Sequence, residues 1–257
     1  MTVDVSLLPQ VALLFMLLFA RLGTMLMLMP ALGEGSIPPN VRLAVALLLT
    51  LVFYPIAAPL YAVDVTAPLG RVGVLLAAEF AVGFFIGLGA RFITYTLSIA
   101  GMIIANQSGL AFAMATDPTM DGQQGAVIGS FLSLLGITLI FAFDLHYLVI
   151  AAMHDSFRLF PPGSGMPVGD MAELATVLVA EVFSIALRLA APFMVVGLVF
   201  YFGLGLLNKL MPQMQIFFIA MPLNITIGGL MLFALLTTMM MWYLSHFETA
   251  VGRFIAG

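Results

Sequence analysis

No Asp, Glu, Lys or Arg occurs in residues 43–63, 92–116, 122–143, 189–208 or 210–247. A bilayer hydrocarbon core about 30 Å thick is crossed by roughly 20 apolar residues in a helix. Each run is long enough to cross, and the last is nearly long enough to cross twice. Backbone polar groups must be paired internally in hydrocarbon, so only helices or a closed barrel satisfy such segments. A barrel strand alternates polar and apolar positions over about ten residues. Stretches such as Leu43–Val52 and Phe193–Tyr201 are apolar on every face, which selects helix. Over the 257 residues only 8% are charged and 63% hydrophobic. An ordinary soluble domain carries about 25% charge; too little polar material is present here for a soluble surface. The expected class is an all-α membrane protein.

Six apolar blocks follow one another, at roughly 7–29, 41–63, 72–105, 126–153, 174–207 and 214–244. Residues 1–20 carry Asp4 in place of a basic leader start and run on apolar to Met29, which reads as a retained first helix. Pro30–Asn40 is a turn-rich break with Pro38 and Pro39 just ahead of the second helix. Pro55 and Pro59 fray that helix's end, Asp64–Arg71 makes a short polar connection, and Phe160–Asp170 is the longest plainly exposed loop. The eight Lys and Arg residues are spread almost evenly, so the charge bias that orients short loops is absent. Helical hairpins that enter an assembly without each crossing lipid would leave such a weak bias.

Five charges, Arg21, Glu79, Arg91, Glu181 and Arg188, fall within or beside apolar helices. An ionised group at mid-bilayer costs about 2.5–3.5 kcal/mol on insertion scales, so such groups face protein or water. Glu181 and Arg188, seven residues apart, share a helix face. Acids and bases are nearly balanced and form no relay. Inter-helix or inter-subunit ion pairing is therefore favoured over a proton or substrate path.

Little supports catalysis or a cofactor. There is no cysteine, hence no disulfide, thiolate metal site or Cys nucleophile. His146 and His154, with Asp144 and Asp155 nearby, are eight apart. That puts them about 12 Å apart along a helix, too far for one metal. His246 stands alone near the C-terminus. Ser164 lies in a Pro- and Gly-rich loop without a base in sequence reach, and Lys209 is not part of a phosphate-cradling loop. The net charge of −4 and the absence of a basic patch exclude nucleic acid as a partner. Most of the 19 methionines read as core or lipid-facing filler; Met114 and Met120 differ in lying in a glycine-rich segment.

That segment, Asn106–Gly125, is the most unusual of the chain. Asn106, Gln107, Ser108, Asp117, Thr119, Asp121, Gln123 and Gln124 surround Leu110, Phe112 and Met114. Asp117-Pro118 disfavours helix, and Gly109, Gly122 and Gly125 permit unusual backbone angles. A half-polar, non-helical stretch between apolar helices is tolerated only within protein or along a water-filled cavity. It reads either as a pore-lining or pore-plugging loop or as an ordinary inter-helix loop.

Residues 205–223, Gly-Leu-Leu-Asn-Lys-Leu-Met-Pro-Gln-Met-Gln-Ile-Phe-Phe-Ile-Ala-Met-Pro-Leu, resemble the signature of the FliR family of flagellar biosynthetic proteins, whose injectisome counterpart is SctT. Asn208, Lys209, Pro212, Gln213, Phe217 and Pro222 carry that pattern. Arg21, Pro30, Val41-Arg42, Gly109-Leu110, Phe112-Ala113, Asp117-Pro118, His146 and Asp155-x-Phe157-x3-Pro161 agree in order, so the resemblance covers nearly the whole chain.

The resemblance implies a noncatalytic, cofactor-free subunit of the type III export gate, built of helical hairpins packed into a hetero-oligomer. Its partners would be FliP-type and FliQ-type gate subunits and FlhB-type and FlhA-type export components, with unfolded exported proteins as transient substrates. Its place would be the bacterial inner membrane at the flagellar basal body, with part of the assembly raised toward the periplasm; the signature's closeness favours the flagellar form. Residues 1–257 would form one domain, with 1–160 resembling a FliP-type subunit and 171–257 a FliQ-type subunit. The loop at 106–125 would be the pore plug, which makes Gln107, Gly109, Phe112, Met114, Asp117 and Pro118 plug residues. The 208–222 signature would serve packing and assembly, with Pro212 and Pro222 shaping a broken helix. From the residues alone, a multi-pass secondary transporter of a small solute is the main rival, and an intramembrane enzyme the weakest.

Overall fold

A computed structural model describes residues 8–30, 32–33, 37–61, 68–111, 126–163, 168–211 and 216–255. Among the described residues, the helices with both ends defined are, in order, α1 (Leu8–Leu28), α2 (Pro39–Ala57, followed by a 3-10 turn at Ala58–Leu60), α3 (Leu69–Gln107), α4 (Ala126–Ala142), α5 (His146–Leu159), α6 (Val168–Leu210) and α7 (Ile216–Gly252). No strand occurs among the described residues. Among the described residues five helices are long and apolar enough to cross a membrane, six if α4 and α5 count as one span. The protein is thus an all-α membrane protein.

Helix boundaries follow local chemistry. Pro39 opens α2 at a position where its missing N–H is not needed. Pro55, Pro192 and Pro222 lie inside α2, α6 and α7. Each removes one ladder bond, and the apolar surroundings still favour helix, because any other backbone would leave more groups unpaired.

Three sequence expectations are corrected, and one apolar block is resolved into parts. The fourth block holds two helices, α4 and α5, separated by a turn at 143–145, where Asp144 takes a left-handed φ of 60°. A short polar side chain tolerates that conformation. The unusual segment turns non-helical later than Asn106, since α3 runs through Gln107. The loop after α5 is shorter, with α6 already begun at Val168. Finally, Pro222 does not break a helix but sits inside a continuous α7, while Pro212 lies outside the described residues.

The chain forms two compact units. The first takes residues 1–92, 143–178 and 248–257. Its core is the stripe Leu14, Leu17, Leu18, Leu22, Met25 and Leu26 of α1, joined by Phe53, Val82, Ile86, Met153, Phe157 and Phe254. Crossing of α1 over α3 is close: a Cβ on Gly83 would strike the Arg21 carbonyl, and one on Gly87 would lie 2.9 Å from Leu28 Cβ.

The second unit takes residues 93–142 and 179–247. Leu97, Ile104, Leu132, Ile185, Ala186, Phe193, Tyr243 and Phe247 are buried in it. Here α3 and α4 approach backbone to backbone, since a Cβ on Gly101 would strike Gly129.

Candidate functional site

In the second unit, the end of α3 is the root of the segment 112–125. The last four carbonyls of a helix lack intrahelical partners or depend on the residues just beyond it. Here all four of the last turn are met. Ile104 O accepts from Ser108 N (2.9 Å), Ala105 O from Ser108 Oγ (3.3 Å) and Asn106 O from Gly109 N (3.3 Å). Gln107 O accepts from Asn224 Nδ2 of α7 (3.1 Å). Three of these bonds are local; the fourth spans 117 positions.

Gly109 ends the helix at φ 71°, a conformation that glycine adopts without steric cost. A Cβ there would come within 3.1 Å of Asn224 Nδ2. The same amide reaches Tyr201 Oη of α6 at a longer 3.4 Å. Two more glycines leave room for the root. A Cβ on Gly197 of α6 would lie 2.5 Å from Gln107 Oε1, and one on Gly228 of α7 would strike Ser108. A cavity of about 120 Å3 adjoins the root, lined by Gly109, Phe200, Tyr201, Leu204, Ala220 and Asn224 among others.

In the first unit, Arg21 of α1 is 1% exposed and Glu79 of α3 is 2% exposed. Arg21 Nε donates to Glu79 Oε2 at 2.5 Å, Nη1 to Ser156 O at 3.0 Å and Nη2 to Phe160 O at 3.0 Å. The guanidinium also lies 4.6 Å from the Phe157 ring centroid. The two carbonyls belong to the end of α5, so the cation meets a helix C-terminus, where positive charge is favoured. A cavity of about 300 Å3 next to the pair is lined mainly by Val74, Leu75, Ala77, Ala78, Val82 and Phe160.

The other sequence-predicted residues are placed as follows. Arg91 and Glu181 are half-buried and Arg188 is exposed. Of the plug residues, Gln107 and Gly109 are brought together at the root; Phe112, Met114, Asp117 and Pro118 lie outside the described residues. Asn208 and Lys209 are exposed at the end of α6, and Pro222 is exposed on α7. Pro212 and Gln213 lie outside the described residues, as does the side chain of Phe217. His154 Nδ1 stands 2.8 Å from its neighbour Asp155 Oδ1. Ser164 lies outside the described residues.

Asn224, Tyr201, Gly197 and Gly228 escaped the sequence reading. One signal was available for the first of them: between 216 and 247, Asn224 is the sole Asn or Gln in an apolar stretch.

Comparison with known proteins places the chain in one family. Bacterial export proteins, family 1, matches residues 12–250. The flagellar biosynthetic protein FliR of Caulobacter vibrioides is 41% identical over 227 residues, covering 88% of this chain and 90% of that protein. FliR of Escherichia coli is 32% identical over 208 residues, 80% of this chain and 78% of that protein. The Yop proteins translocation protein T of Yersinia pestis is 27% identical over 230 residues, 88% and 87% of the two chains.

Proposed function

The chain belongs to bacterial export protein family 1, the FliR/SctT family, and from that premise we propose that it is a pore-forming subunit of a type III protein-export gate. It is a membrane component of a flagellar or type III export apparatus. The finer reading is that it joins FliP-type and FliQ-type subunits around a channel for unfolded proteins, next to FlhB-type and FlhA-type components. It works in the inner membrane at the basal body and performs no catalysis. The observation that carries this is the identity to FliR along 88% of the chain. Helix length supports it. At 1.5 Å per residue, α3, α6 and α7, of 39, 43 and 37 residues, extend roughly 60, 65 and 55 Å. A hydrocarbon core of about 30 Å needs only half of that, which suits helices that continue into a protein assembly.

Within this reading the N-terminal part, 1–160, does the work of a FliP-type subunit and 171–257 that of a FliQ-type subunit. The segment after Gly109 is the plug, with Phe112 and Met114 as its apolar seal. Apolar side chains at a constriction dewet a pore, and flexible thioethers can yield to a passing chain. The signature at 208–222 serves assembly.

Co-purification with FliP-type and FliQ-type subunits, followed by intact mass measurement, tests the assembly. A hetero-oligomer containing this chain is expected, and a chain produced alone should be unstable in detergent. A stable monodisperse monomer that ignores both partners would overturn the reading. For the seal, the Phe112→Gly/Met114→Gly double variant should raise ion conductance of the reconstituted complex; an unchanged leak removes these residues from the seal.

A further inference from the structure

We propose that Arg188, together with Thr238 and Trp242, forms a binding site for an anionic phospholipid. The phosphate sits on the guanidinium at the membrane surface, and an acyl chain lies in the apolar groove beside it, between α6 and α7. The site needs only the membrane and stands whether or not the chain lines a pore.

The second unit marks its own depth. Arg188 and Lys209 bracket the charge-free run 189–208 of α6. At 1.5 Å per residue they are about 31 Å apart along the helix, close to the thickness of a hydrocarbon core. The two cations thus stand at opposite surfaces, each with its stem in the apolar layer and its head at the level of the lipid phosphates. The same level is given independently by α7. Trp242 is the chain's single tryptophan, is 39% exposed and lines one groove with Arg188. Tryptophan concentrates at membrane–water interfaces, where its ring stays in the apolar layer and its N–H is wet. Midway along the bracketed run, Leu198 is 71% exposed, a position that suits contact with lipid tails.

The groove offers donors and no acid. Arg188 is exposed, and among the described residues it has no ion-pair or hydrogen-bond partner. Glu181, seven residues earlier on α6, is about 10 Å away along the axis, beyond the reach of an ion pair. Thr238 and Trp242 add a hydroxyl and an indole N–H to the lining. A phosphate answers such a set with negative charge and several acceptor oxygens. Toward the bilayer centre, Leu189 and Pro192 on α6 and Met239 on α7 continue the groove, of about 240 Å3, as an apolar wall. An acyl chain covers that wall. The carboxylate of a partner subunit would satisfy the cation but bring no apolar tail with it. Depth, donors and the apolar continuation together select lipid.

Trp242 is also the reporter, since no other tryptophan of the chain contributes to its fluorescence. The full chain is placed in phosphatidylcholine vesicles in which a small, equal fraction of lipid has brominated acyl chains, either phosphatidylglycerol or phosphatidylcholine. Brominated phosphatidylglycerol should quench Trp242 in excess, with a preference of roughly fivefold, the effect of one basic side chain at an anionic surface. The excess should shrink as salt rises, because the cation is exposed. Arg188→Gln should make the two lipids equal while quenching by brominated phosphatidylcholine stays as it was. Arg188→Lys keeps the charge and should keep most of the preference. Inorganic phosphate in the buffer should leave the excess unchanged; its loss would assign the groove to a soluble anion and overturn the lipid.

In the complex with FliP-type and FliQ-type subunits, intact mass measurement counts the phosphatidylglycerol that is retained, and Arg188→Gln should retain one molecule fewer. Equal quenching by both lipids in the unsubstituted chain overturns the site. An Arg188→Gln chain that no longer assembles, or a complex that keeps all its lipid without the cation, assigns Arg188 to a partner carboxylate and overturns it too. Should the unsubstituted chain fail to assemble, the gate reading falls and the vesicle measurement alone decides the site.

Discussion

Arg21 donates to a carboxylate and to two carbonyls at the end of α5, from a helix otherwise lined by leucine and methionine. Removing one partner of a buried ion pair leaves an uncompensated charge and costs about 3–5 kcal/mol, whereas replacing both by apolar groups costs far less. Glu79→Gln is therefore expected to destabilise the protein strongly, and Arg21→Met/Glu79→Leu less than Glu79→Gln alone. Arg21→Lys should also be poorly tolerated. A point-like ammonium cannot place donors on three acceptors in a fork. Thermal denaturation of the detergent-solubilised complex measures all three; a double variant as damaging as the sum of its singles would assign Arg21 and Glu79 separate roles.

At the scale of helices, close packing depends on where α3 carries glycine. Gly83 lies where a Cβ would strike the carbonyl of Arg21, while Gly73, ten residues earlier, has nothing within 4 Å. Alanine at Gly73 should stabilise by about 0.5–1 kcal/mol, the usual gain of replacing a helical glycine. At Gly83 alanine must push α1 and α3 apart, at about 1–3 kcal/mol. A shared sign for the two substitutions in the same melting assay would contradict the crossing described. Much at this scale was legible in the sequence, because a charge-free run fixes a membrane helix with little help from packing. The break at Asp144 was not. Its neighbours Phe143 and Leu145 are apolar, no glycine or proline marks it, and the left-handed backbone there is a local choice that periodicity does not encode. The candidate site was half legible for a similar reason. Gln107 and Gly109 stand out by composition, but the bond from Asn224 joins positions 117 apart, and a single sequence offers nothing that pairs them.

For the whole molecule, the question is what covers its apolar exterior. In α7 only 17% of the most apolar window is buried within the chain, and Phe233 is 85% exposed. On α6, Leu198 is 71% exposed and Phe202 and Leu210 stand out as well. Lipid would satisfy these faces along a stretch of about 30 Å, whereas the helices run roughly twice as far. In the proposed assembly, partner subunits cover the remainder. The absence of cysteine makes the distinction measurable, since one introduced cysteine carries the only thiol of this chain. Leu198→Cys and Phe233→Cys, each bearing a fluorophore, are expected to be quenched by brominated lipid when the chain is alone in membranes. Assembly with FliP-type and FliQ-type subunits should remove the quenching at one or both sites, because partner helices then replace lipid. Equal quenching at both sites in the full complex would mean that α6 and α7 face the bilayer as independent spans, and the proposed packing of this chain against partner subunits would have to be abandoned on those faces.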